Sequence, residues 1–112
     1  MKPPETIYIA GTPIQVLMDT ARLKEWNKDK EKSDDIWGTA NEAERFILMR
    51  DDLRPEQAQE TLWHELLHWL DWVYQTAGKR MSEAQAQQTA RGLAWLFRDN
   101  PQLVGYLGSR EA

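Results

Sequence analysis

Cysteine is absent from the 112-residue chain. That excludes a disulfide framework, a thiol nucleophile and any metal site built from thiolates. Basic charge is scarce. Lys and Arg number 14 against 18 Asp and Glu, for a net charge of −4. A general basic surface, and with it a nucleic-acid partner, is not expected. No apolar run approaches the roughly 20 residues that span a membrane, and Met1-Lys2-Pro3-Pro4-Glu5 has no apolar signal core. The expectations are no membrane partner and a cytoplasmic location. Histidine is nearly absent, with 2 residues. Tryptophan is plentiful instead, with 6, so the core or a groove should be aromatic.

The organisation reads as one domain over residues 1–112, with strands first and helices after. Residues 7–9 and 14–18 are short β-prone runs, and Gly11-Thr12-Pro13 between them is turn chemistry, so a hairpin is expected. Residues 23–35 are almost all polar, and the charge run at 28–35 reads as a solvated loop or a frayed helical turn. Residues 36–40 read as a short strand, 41–44 as a turn and 45–50 as the strongest strand of the chain. Gly38 and Asn41 could shape the turn beside a cleft, though ordinary hairpin turn chemistry suits them better.

The character then changes. Pro55 can open a helix, no breaker follows between Glu56 and Thr76, and Gly78 offers a stop. A helical wheel puts Leu62, Leu66, Trp69, Leu70, Val73 and Ala77 on one face, and Trp63, Leu67 and Tyr74 widen it. So broad an apolar surface predicts burial on more than one side. Ser82 with Gln85 forms a capping-box pair for a second helix, which should run to about Asp99 and end at Asn100-Pro101. Its stripe is Ala86, Ala90, Leu93, Ala94 and Phe97. The tail from Gln102 should pack loosely through Leu103, Val104 and Tyr106. The fold class expected is α+β, a small antiparallel sheet with the helices on one side.

Both histidines fall in one motif, His64-Glu65-Leu66-Leu67-His68, which is H-E-x-x-H within the predicted helix. Positions i and i+4 share a helical face, so both imidazoles can reach one metal. The glutamate between them can act on a metal-bound water. The histidines lie opposite the main apolar stripe, as a cleft requires. A catalytic zinc site needs a third protein ligand. With no further histidine and no cysteine, it must be a carboxylate. Asp71 is on the same helical face but would make one helix supply all three ligands. Glu83 opens the next helix in line with its inward stripe. Glu83 is therefore preferred and Asp71 is the alternate.

The run Thr61-Leu62-Trp63-His64-Glu65-Leu66-Leu67-His68 resembles the active-site helix of zincin metallopeptidases. Over roughly residues 36–100 the order of elements resembles the small ImmA/IrrE-type metallopeptidases, especially compact forms found in phage and prophage genomes. The resemblance implies a Zn2+ cofactor, His64, His68 and Glu83 as ligands, Glu65 as the catalytic acid–base, and hydrolysis of a protein or peptide, often a regulatory protein. The chain lacks the additional acid-rich helix and domains of longer members. An alternative reading is a non-catalytic metal-binding module of phage or prophage origin that holds a partner without cleaving it. Residues 45–50 could be an edge strand that takes up an extended peptide, or an interior strand. Trp72, near the motif, suits a core position better than a pocket wall. Arg91 and Tyr74 are possible oxyanion partners that nothing in the sequence selects.

Overall fold

The computed structural model describes residues 2–28, 36–74 and 80–110. The chain runs β1 (Thr6–Ile9), β2 (Thr12–Met18), α1 (Thr20–Asn27), β3 (Gly38–Asn41), β4 (Phe46–Met49), α2 (Pro55–Tyr74), α3 (Glu83–Asp99) and α4 (Pro101–Leu107). It is an α+β arrangement, in agreement with the sequence.

The hairpin forms with a tighter turn than the sequence suggests. Ile9 pairs with Thr12, so only Ala10 and Gly11 lie in the turn. Both have positive φ, 51° and 80°, as the two central residues of a hairpin turn matched to strand twist require. Pro13 is in the strand rather than the turn. It stands opposite Tyr8, next to the hydrogen-bonded closing pair, where its N–H would point away from β1. It also lies before the stretch of β2 that β4 covers, so no ladder bond is lost.

The sheet is mixed, with order β1-β2-β4-β3, and this corrects the antiparallel expectation. β4 pairs parallel with β2, from Gln15 opposite Phe46 to Met18 opposite Met49, and antiparallel with β3. The reason is the strand order, in which β4 sits between β2 and β3. Asp19 caps α1 by accepting from the Arg22 N–H at 3.0 Å. Met18 and Gly38 both stand level with Met49, so α1 links β2 to β3 at one end of the sheet, β3 runs back, and β4 returns parallel to β2. Of the charge run at 28–35, all but Lys28 lies outside the described residues.

Alternate residues of β4 face opposite ways. Ile47 and Met49 join Ile9, Ile14, Val16 and Trp69 under α2, whereas Phe46 and Leu48 pack with Leu23 of α1. Trp26 adds an edge-on contact to the Phe46 ring, with centroids 5.6 Å apart. Helices thus cover both faces, not one, and every residue of β4 is buried. The 45–50 run is accordingly an interior strand, and among the described residues the sheet edge beside α2 is β3.

α2 begins at Pro55, with the Gln57 side chain accepting from the Arg54 N–H at 3.0 Å. Leu62, Leu66 and Trp69 pack on the sheet as the wheel predicts, but Leu70 and Val73 are exposed. Residues 75–77 and the stop at Gly78 lie outside the described residues. α3 opens with the complete Ser82–Gln85 capping box, and Ala86, Ala90 and Ala94 are buried. Small side chains on that stripe bring α3 close to α2. The tail packs loosely, as expected, but it does so as a helix. Pro101 starts α4, although none of its residues is buried. No helix of the described residues is long and apolar enough to cross a membrane.

Candidate metal centre

α2 and α3 run side by side, and the cleft between them and β3 is lined by Ile36, Trp37, Gly38, Glu60, Thr61, His64, Glu65, Glu83 and Gln87. Its volume is about 350 Å³. Gly38 sets how near β3 comes to α2. A Cβ there would lie 2.8 Å from Thr61 Cγ2, so only glycine permits this approach. Asn41 closes the turn after β3, accepting from the Glu44 N–H at 2.8 Å.

Helical spacing stacks His64 and His68 on one face, and their Nε2 atoms are 3.1 Å apart. Glu83, in the first turn of α3, reaches back to both. Its Oε2 is 3.0 Å from His64 Nε2 and its Oε1 is 2.9 Å from His68 Nε2. The ligand atoms of His64, His68 and Glu83 all lie within 4.8 Å of one another. Zinc–ligand bonds of about 2.0–2.1 Å at tetrahedral angles put donors roughly 3.3 Å apart. The three groups stand a few tenths of an ångström inside that spacing, so small side-chain shifts open room for an ion. Two imidazoles and one carboxylate are also a donor set suited to zinc.

Asp71, the alternate, is engaged elsewhere. It accepts from the Met81 N–H at 2.8 Å and pins the segment leading into α3. Arg91 pairs with Glu60 at 3.1 Å, and neither Arg91 nor Tyr74 lines the cleft. Trp72 packs against the core, meets Trp69 edge-on at 5.4 Å and lies over the His68 ring at 6.2 Å. Trp63 packs on Phe97.

Glu65 is 6% exposed. Burial pushes its carboxyl up to about 7, helped by the Glu83 carboxylate and opposed by His64. A buried acid poised there can hold a proton or release it near neutrality.

One participant is missing from the sequence reading. Gln87 Oε1 is 2.9 Å from His64 Nδ1, on the side of the ring away from Glu83. The signal available was its i, i+4 relation to Glu83, which places both on one face of α3. Comparison with protein-family models, with curated proteins and with solved structures finds no match.

Proposed function

We propose that this chain is a zinc-dependent metallopeptidase, a compact enzyme of the zincin kind. The observation that carries the reading is the meeting of His64, His68 and Glu83 from two helices, with the buried Glu65 lining the same cleft. His64 and His68 would hold the metal as neutral imidazoles through Nε2, and the Glu83 carboxylate would complete the set. A bound zinc ion supplies Lewis acidity, lowering the pKa of its water towards about 7 and polarising the scissile carbonyl. Glu65 takes the proton from the attacking water on a carboxylate oxygen and delivers it to the leaving amine nitrogen.

The outer edge of β3, the last strand of the sheet among the described residues, would offer backbone N–H and C=O groups to an extended peptide lying along the cleft, with little sequence demand. A protein or peptide, including a regulatory protein, is the substrate class this supports. The competing module that holds metal without cutting has no use for Glu65. Burying a carboxyl costs free energy that a structural site need not spend.

The test is zinc-loaded protein incubated with a pool of denatured proteins, scored by mass spectrometry for new termini. Termini that appear, vanish with chelator and return with zinc support a peptidase. Zinc-loaded protein that produces none contradicts general peptidase activity and favours the non-cutting module.

A further inference from the structure

His64 carries one ring proton when neutral, and two acceptors compete for it. Glu83 Oε2 lies 3.0 Å from Nε2, and Gln87 Oε1 lies 2.9 Å from Nδ1. Only the form protonated at Nδ1 leaves a lone pair at Nε2, where Glu83 and His68 converge. From this geometry we infer that Gln87 is a positioning residue for the metal centre: its carboxamide oxygen holds the His64 proton at Nδ1, aiming Nε2 at the ion. The inference rests on the reading of His64, His68 and Glu83 as metal ligands.

The placement of Gln87 is suited to the task. It is half-buried, one turn beyond Glu83 on α3 and between the buried Ala86 and Ala90 of the same stripe. The backbone of α3 is therefore fixed by packing, and ligand and positioning residue come from one rigid element. A carboxamide supplies an acceptor without a charge. With neutral histidines and one carboxylate, a divalent ion would leave the three-ligand set with a net positive charge, which favours an acidic bound water. A carboxylate at position 87 would hold the same proton and add negative charge, so it should bind the cation at least as well.

The experiment measures zinc affinity by competition with a chromophoric chelator for wild type, Gln87→Leu and Gln87→Glu, with circular dichroism as a check of fold. Loss of a partner to a metal-bound histidine typically costs about 10- to 100-fold in affinity. Gln87→Leu should lose that much, and Gln87→Glu should match or exceed wild type. A packing role predicts the reverse order, since leucine suits a half-buried helix position better than glutamate. In zinc-loaded wild type, NMR should show a His64 Nδ1 proton protected from exchange, and Gln87→Leu should lose the protection. If wild type binds zinc but both variants match it, or its Nδ1 proton is unprotected, the role of Gln87 is overturned and the metal site stands. If folded wild type binds no zinc, the reading of the metal site fails, and the inference with it.

Discussion

Glu83 Oε1 lies 2.9 Å from His68 Nε2, joining the first turn of α3 to the middle of α2. The Glu83 side chain is 79% exposed, so it reaches the histidines from the solvent side and closes the site like a clasp. A bound ion would tie the two helices together through this contact, and metal binding should appear as stability.

Zinc at about a hundredfold excess over its Kd should raise wild-type stability by about 2.7 kcal/mol. Glu83→Ala should abolish most of that gain, losing more than the roughly 10- to 100-fold in affinity that outer partners cost. Thermal unfolding with and without zinc measures both.

Asp71→Ala should behave differently. Its carboxylate serves the Met81 N–H, so the variant should lose about 1–2 kcal/mol of stability while zinc affinity stays near wild type. Urea denaturation and a zinc titration separate the two effects. A larger loss of zinc affinity in Asp71→Ala than in Glu83→Ala would reverse the ligand assignment.

The metal-free protein should become less stable as pH rises through the window set by Glu65. Its carboxyl is raised from an ordinary 4.5 to about 7. The folded state therefore binds the proton more tightly than the unfolded state. This contribution is fully present below the unfolded value and is lost as pH climbs through the folded one. Glu65→Gln carries no such proton, so in chelator its advantage over wild type should grow from about pH 4.5 to pH 7, reaching on the order of 3 kcal/mol. Urea denaturation across that range checks it.

Gly38→Ala should push β3 away from α2. The added methyl would sit 2.8 Å from Thr61 Cγ2 and 3.3 Å from the Leu48 carbonyl oxygen. Overpacking of this kind costs about 1–3 kcal/mol. Because β3 borders the cleft, any cleavage activity should fall as well, with zinc affinity little changed. Equal stability and activity in the variant would show that the approach is not needed.

Much of this was legible in the sequence, for reasons tied to particular residues. The Ser82–Gln85 capping box and the alanine stripe after it are local signals and mark α3 correctly. His64 and His68 announce their shared face through spacing alone. α1 was missed because it is mostly polar. Its buried Asn27 needs no apolar side chain, since Nδ2 donates to the Leu23 carbonyl at 2.9 Å. The parallel pairing of β2 with β4 could not be anticipated either, because it follows from β4 inserting between β2 and β3, a strand order that no local signal marks. Pro13 reads as a turn residue until its non-hydrogen-bonded position opposite Tyr8 is known. Gln87 could not be singled out, because its partner is on another helix and its role depends on how closely α2 and α3 pack.

The most direct test of the account compares wild type with Glu65→Gln after both are loaded with zinc. Gln is nearly the size of Glu and leaves His64, His68 and Glu83 untouched, so zinc content and fold should be unchanged. It cannot accept the proton. Cleavage of a substrate that wild type cuts should therefore fall by about 10²- to 10⁴-fold. Equal cleavage rates at equal zinc content would contradict the account, because proton transfer would then belong to a group other than Glu65.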